Sequence, residues 1–304
     1  MIDNSSPKRC GFVAIVGAPN AGKSTLMNHL LGIKLAAVSA KAQTTRSRIR
    51  GVLTEGQGQI IFVDTPGIFK PEKKLDRAMV RAAWHEEQDA DIRLLIMDAS
   101  RGKIDPHTLP IIETIKEQKI DKTWLLLNKI DKVDRQKLLP LAQECQDLGI
   151  FENIMMIAAK HDDGLEDLKN KLLTAIPEGE WHYPEDHLTD LSERLIAAEL
   201  TREQLYHQLG AELPYASTVV TDSWEVFRNG SVKVSQTILI ERESQKPIVL
   251  GKGGQKIRDI REAAQTEIAE LAGCPVHLFL YVKVAERWKD DPEHYENWGL
   301  EYKA

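Results

Sequence analysis

The sequence predicts an α/β chain, a doubly wound mixed sheet followed by a smaller α+β domain. Three observations carry that expectation. Between residues 11 and 176, short runs rich in Ile, Val and Leu alternate with amphipathic stretches, the pattern of strands joined by crossover helices. At 177–187 (PEGEWHYPEDH) two prolines and a glycine interrupt all periodicity, which marks a linker. Beyond it the order of elements changes. The domains are therefore expected at 1–176 and 188–285, with a tail at 286–304, in line with about two domains for 304 residues.

Within the first domain, 12–16, 60–63, 92–97, 123–127 and 154–157 are short apolar runs that read as buried strands. Helical patterns lie between them at 24–31, 75–84, 109–119, 135–148 and 165–175. Residues 49–54, with a turn at 55–58, add an antiparallel partner to 60–63, which makes the sheet mixed. In the second domain the expected order is a helix at 192–209, a strand at 216–227, an Asn229-Gly230 turn and a strand at 232–241. A short helix ending near Leu250, a GKGG loop, a helix at 255–272 closed by Gly273 and a strand at 276–284 follow. The charged residues of the 192–209 helix are expected on a solvated face.

Composition narrows the function. The chain is 42% hydrophobic and 28% charged, with three cysteines. Cys10, Cys145 and Cys274 lack metal-ligand spacing and read as unpaired thiols in a reducing compartment, the cytoplasm. No apolar run approaches the roughly 18–20 residues of a membrane span. The N-terminal apolar stretch runs into a glycine-rich turn, so no signal peptide is expected. The histidines form no zinc-type pairing, and no zinc site is expected. Net charge is −6, against a blanket nucleic-acid binder. Residues 184–304 hold 14 Lys+Arg against 21 Asp+Glu, yet from Lys246 to Arg261 five basic residues face one acid, Asp259. That local basic segment is a candidate anion site.

Three loops carry the chemistry. Gly17, Ala18, Pro19, Asn20, Ala21, Gly22, Lys23 and Ser24 match G-x-x-x-x-G-K-[ST] between a strand and a helix, the context a phosphate-binding loop requires. Backbone N–H groups there converge on phosphate at a helix N-terminus, and Thr25 extends the set. Lys23 would reach the β- and γ-phosphates, and Ser24 would ligate Mg²⁺. Asp64, Thr65, Pro66 and Gly67 end the strand at 60–63. Asp64 would hold Mg²⁺ through water, and the Gly67 N–H can approach a γ-phosphate because no Cβ obstructs it. Asn128, Lys129, Ile130 and Asp131 end the strand at 123–127. The Asp131 carboxylate can accept from guanine N1–H and its exocyclic amine, groups that adenine does not present together, and such paired bonds discriminate by roughly 10⁴–10⁵. Lys129 would cover the base.

These motifs resemble those of Ras-like GTPases, and in their form (G-A-P-N-A-G-K-S, D-T-P-G, N-K-I-D) those of the Era family of bacterial ribosome-assembly GTPases. The resemblance implies that Gln43, Thr44 and Thr45 belong to the first switch. Thr45 would complete the Mg²⁺ shell, with Thr44 a rival, and Lys23, Thr45 and Gly67 would form the catalytic set. It also implies a guanine loop at Ala158, Ala159 and Lys160, where the Ala159 N–H meets the guanine oxygen and Ala158 stands where the family has serine. Ile68 follows Gly67 where Ras has a water-orienting glutamine, so slow intrinsic turnover is implied. Asn20 resembles the residue that relatives use to bind K⁺; a loop-shaping role is the alternative.

The second domain's order of elements resembles a type II KH domain. Gly251, Lys252, Gly253 and Gly254 would clamp an RNA backbone. Lys256 and Arg258 would add charge, and Ile248 with Val249 and Leu250 would wall the base groove. The resemblance implies a Mg²⁺-dependent GTP/GDP switch that binds the 3′ end of small-subunit ribosomal RNA and acts on the small ribosomal subunit, with no DNA partner. Two rivals stay open. One is an RNA-binding assembly factor whose hydrolysis is incidental. The other is a GTPase peripheral to the inner face of the cell membrane, with the KH domain as a protein-docking module.

Overall fold

The computed structural model describes residues 7–39, 49–64, 77–79, 90–210, 212–298, 300 and 302. They fall into two compact units. One comprises Met1–Gly32, Thr45–Asp190 and Trp298–Ala304, the other Ile33–Thr44 and Leu191–Asn297.

The first unit is built on a six-stranded sheet of order β2-β3-β1-β4-β5-β6. Its strands are β1 (Arg9–Gly17), β2 (Ile49–Glu55), β3 (Gly58–Asp64), β4 (Ile92–Asp98), β5 (Thr123–Asn128) and β6 (Asn153–Met156). Only β2 runs antiparallel, paired with β3. Every residue of β3 and β5 is buried, as expected of strands covered on both faces. The covering helices include α1 (Lys23–Leu31), α2 (Leu109–Gln118), α3 (Arg135–Asp147) and α4 (Leu165–Ala175). Ile111 and Ile115 of α2 and Leu141 and Cys145 of α3 pack with Leu95, Leu125 and Leu127 of the sheet. Of the expected helix at 75–84, the described residues 77–79 are helical; the rest lies outside the described residues.

The strand order reverses between β1 and β4, and the loops leaving the carboxyl ends of β1, β4 and β5 open beside that point. In an open α/β sheet this is where ligands bind. The segment after Ile176 continues to pack on the same unit. Arg9 bridges to Glu178 and Gly51 to Thr189. The buried Gln59 carboxamide oxygen accepts from the His182 and Tyr183 N–H groups (2.9 and 3.0 Å), and its nitrogen donates to the Tyr183 carbonyl (2.9 Å). A buried amide satisfied on both ends holds an aperiodic stretch that no hydrophobic pattern could fix.

The second unit has helices α5 (Glu193–Gln208), α6 (Lys246–Leu250), α7 (Gln255–Ala272) and α8 (Pro292–Asn297) and strands β7 (Ser217–Val226), β8 (Val232–Ile240) and β9 (Val276–Val284). β7 pairs antiparallel with β8, and β8 pairs parallel with β9. The Asn229 side chain closes the hairpin by accepting from the Ser231 N–H and hydroxyl (3.1 and 2.8 Å). Leu205, Val219, Ile238, Ile240, Val249 and Ile260 form the core. Trp288 is buried, and its Nε1–H donates to the Ala216 carbonyl at 3.2 Å.

The reading of the 192–209 helix as having a solvated charged face is overturned. Every residue of α5 from Ile196 to Tyr206 is buried. Arg202 pairs with Glu199, Thr201 donates to Gln236 Oε1 (2.6 Å), and Gln204 donates to Glu267 Oε1 (3.0 Å). Buried charge is tolerated only with such partners. Gln236 and Glu267 come from elsewhere in the chain, so helical periodicity could not show them.

Candidate nucleotide site and candidate RNA-binding loop

The phosphate-loop residues lie between β1 and α1, and its backbone shape is demanding. Gly17 and Gly22 take φ of +152° and +112°, and Asn20 sits in the left-handed region at +62°. A Cβ at Gly22 would come within 2.3 Å of Asn128 Nδ2, so this position needs glycine for space as well as conformation. Lys23 is buried, its ammonium donating to the Gly17 and Ala18 carbonyls (3.1 and 3.2 Å). Burial pushes its pKa down, against the opposing pull of Asp64. An ammonium at this position can make charge-assisted hydrogen bonds to an anion such as a phosphate group.

Ser24 and Asp64, forty residues apart in sequence, are joined by a bond from the Ser24 hydroxyl to Asp64 Oδ2 at 2.9 Å. Both are buried. Two adjacent hard oxygen donors suit Mg²⁺, which completes its octahedron with water and phosphate. Among the described residues, no cluster of three or more His, Cys, Asp or Glu offers a metal site.

Asn128 ends β5 and joins two loops. Its Nδ2 donates to the Ala21 carbonyl (2.8 Å), and its Oδ1 accepts from the Ala159 N–H (3.0 Å). The Ala159 N–H, expected to face a guanine oxygen, is thus directed at Asn128. The Ala158 N–H donates to the Asp163 carbonyl at 3.0 Å, a bond independent of the side chain at 158, and closes the loop. Ala158 and Ala159 are buried, and Lys160, next in the chain, is exposed. Lys129 takes φ +66°, which aims its side chain back over the phosphate loop, where Nζ donates to the Asn20 carbonyl at 2.7 Å. Asp131 lies in the turn after it, its Oδ2 3.6 Å from His161 Nε2.

One residue at this edge carries no sequence expectation. Asp98 ends β4 directly beside Asn128 in register, and its Oδ2 is 2.6 Å from Lys129 Nζ. Its Oδ1 accepts from the Ser100 N–H at 2.9 Å. Burial alone would raise its pKa, but Lys129 and Ser100 outweigh that and hold it below the usual carboxylate range. The available signal was positional: Asp98, like Asp64, is a polar residue terminating an apolar strand.

Gln43, Thr44, Thr45, Thr65, Pro66, Gly67 and Ile68 lie outside the described residues.

In the second unit, Gly251, Gly253 and Gly254 all have positive φ (+73°, +62° and +75°). A Cβ at Gly251 would meet Lys256 Cβ at 2.5 Å; space beside Gly253 and Gly254 is open. α7 starts immediately after this loop, with Lys252 and Arg258 exposed. Among the described residues, Lys252, Lys256 and Arg258 carry no ion pair, whereas Lys246 and Arg261 pair with Glu243 and Glu262. The free positive charge therefore sits at the helix N-terminus, where it adds to the helix dipole. The expected apolar wall divides: Ile248 is 58% exposed, but Val249 is fully buried in the core. Successive side chains on a helix are turned about 100° apart, and here that rotation leaves Ile248 outward and carries Val249 inward.

A phosphate loop, a strand-end Asp and an N-K-x-D loop on a mixed sheet define a P-loop GTPase domain, here joined to a KH fold. Family profiles agree, with "50S ribosome-binding GTPase" matching residues 12–129 and "KH domain" matching residues 212–289. The chain belongs to the Era GTPase family. It is 52% identical over 300 residues to GTPase Era of Afipia carboxidovorans, covering 99% of this chain and 97% of that one. Against GTPase Era of Rhizobium meliloti the identity is 51%, covering 97% and 94%. A crystal structure of Era in complex with MgGDPNP and nucleotides 1506–1542 of 16S ribosomal RNA superposes with a TM-score of 0.89. It is 36% identical and covers 96% of this chain and 99% of that one.

Proposed function

We propose that this chain is a GTP-hydrolysing switch that binds the 3′ end of small-subunit ribosomal RNA and acts in small-subunit maturation. The observation that carries it is the pairing, in one chain, of a prebuilt nucleotide site with a glycine loop and unpaired cations at the head of α7. The solved relative holds a GTP analogue and 16S RNA. The profile that speaks of the 50S ribosome covers only residues 12–129, whereas the 16S complex covers nearly the whole chain. The RNA-binding half is therefore better represented by the complex.

In the nucleotide site, phosphoryl transfer needs positioning and charge neutralisation rather than a covalent intermediate. The amides of 17–24 and Thr25 cradle the phosphates, and Lys23 exchanges its carbonyl partners for β- and γ-phosphate oxygens. Ser24 and, through water, Asp64 would hold Mg²⁺, which neutralises charge developing on those oxygens. Thr45 and Gly67 are the proposed contacts to the ion and the γ-phosphate. Asp131 selects guanine, and Lys129, steadied by Asp98, lies over the base. K⁺ beside Asn20 would add a further positive charge, so hydrolysis should run faster in K⁺ than in Na⁺. With Ile68 in place of a glutamine, basal turnover is slow.

RNA affinity measured with GDP, GTP and a non-hydrolysable analogue tests the switch. Equal affinities in the three states leave RNA binding without nucleotide control and sink the reading. Among the described residues, no helix is long and apolar enough to cross a membrane. The membrane-peripheral alternative predicts co-sedimentation with vesicles rather than with small ribosomal subunits.

A further inference from the structure

The chain following α1 is built into the second unit. Ile33–Thr44 groups with Leu191–Asn297, and the described part of this strap, up to Ser39, is held there by two helices. Lys34 Nζ lies 2.9 Å from Glu203 Oε1 on α5 and 2.9 Å from Glu267 Oε2 on α7. His207 Nε2 is 3.0 Å from the Val38 carbonyl. Leu35, Ala36 and Ala37 are buried. Glu203 is itself buried, its side chain 4% exposed. A carboxylate in that setting is costly without a cation, so the strap and the two helices are bound to move together or to part at an energetic cost.

The two ends of this connection lead to the two sites. Gly32 terminates α1, whose first residues are Lys23 and Ser24 of the phosphate loop. α7 begins directly after Gly254 of the glycine loop and carries Glu267, twelve residues or roughly 18 Å along a rigid helix. We propose that Lys34, clamped by Glu203 and Glu267, is a positioning residue that couples nucleotide state to RNA affinity. The inference rests on the reading that the chain binds GTP at one site and RNA at the other. A nucleotide-dependent change in where the chain leaves α1 pulls on Lys34 and thus on α7. RNA seated at the head of α7 acts back through the same contacts, since coupling free energies are reciprocal.

The full-length chain tests this with RNA spanning nucleotides 1506–1542 of 16S ribosomal RNA. Its affinity is measured with GDP and with a non-hydrolysable GTP analogue, and the ratio of the two is the coupling factor. Glu267→Gln removes one carboxylate charge. The double variant Lys34→Met with Glu203→Gln removes a cation and its buried partner together; the carboxylate that loses its cation, Glu267, is 25% exposed and keeps its bond from Gln204. In both, the coupling factor should fall about fivefold or more towards one, a change at the lower end of typical coupling strengths. Nucleotide affinity without RNA should stay within about twofold. Lys34→Arg, which keeps the charge, should retain most of the coupling. Wild-type coupling in the first two variants, or RNA affinity lowered equally in both nucleotide states, overturns the proposal and leaves the switch intact. A wild-type coupling factor of one overturns both.

Discussion

The Asn128 side-chain amide donates to the Ala21 carbonyl at 2.8 Å, tying the loop expected to read guanine to the loop expected to hold phosphate. Its other end accepts from the Ala159 N–H at 3.0 Å, so one buried carboxamide sets the spacing of three loops. Asn128→Ala strands the Ala21 carbonyl and the Ala159 N–H, each worth about 1–3 kcal/mol when buried unsatisfied. The expected outcome is a loss of about 2–6 kcal/mol for the two together in a denaturant melt, with weaker GTP binding in titration calorimetry. Unchanged stability and affinity would remove Asn128 from this role.

Asp131→Asn replaces an acceptor with an amide whose donor suits the extra carbonyl of xanthine. The ratio of GTP to XTP affinity should shift towards XTP, approaching roughly 10⁴-fold if both paired bonds act through this carboxylate. Competition between labelled GTP and unlabelled XTP reads the shift. Retained GTP preference refutes the assignment.

Replacing Lys252 and Gly253 with Asp keeps Gly251, where an added Cβ would collide with Lys256, but puts two negative charges where phosphate should lie. Binding to single-stranded RNA should be lost while GTP affinity is kept. Lys256→Ala is milder: it should weaken all RNA sequences about equally and reduce the salt slope by roughly one. Wild-type RNA affinity in the double aspartate variant would mean that the glycine loop does not clamp RNA.

Cys145 is fully buried on α3, and desolvation pushes its thiol from 9.0 up to about 11. A raised value means the folded state keeps its proton longer. The associated stability is therefore whole below about pH 9 and is lost as pH climbs towards about 11. Cys145→Ala should flatten this part of the alkaline unfolding profile, after allowance for a constant cavity cost. In the native wild type at neutral pH, a thiol reagent should label the half-buried Cys274 ahead of Cys10 and Cys145, which are buried. Rapid labelling of Cys145 would contradict its setting.

What the sequence determined by itself is local. The glycines of 17–22, the Asn229-Gly230 turn and the Ile- and Val-rich strands are dictated by backbone sterics and short-period burial, which neighbouring residues encode completely. So both folds and the chemical nature of both loops were legible. The tertiary structure alone decided who partners whom. Asp98 reaches Lys129 because β4 and β5 lie in register. The Ala159 N–H turns to Asn128 because β5 and the loop after β6 converge at one edge. Val249 belongs to the core while Ile248 does not. The charges of α5 show the reason most clearly: Glu203 looks solvated by composition, yet it is buried against Lys34, 169 residues away in the chain. Periodicity reports which face of a helix is apolar, whereas an ion pair's desolvation and attraction depend on a group that only the folded chain brings near.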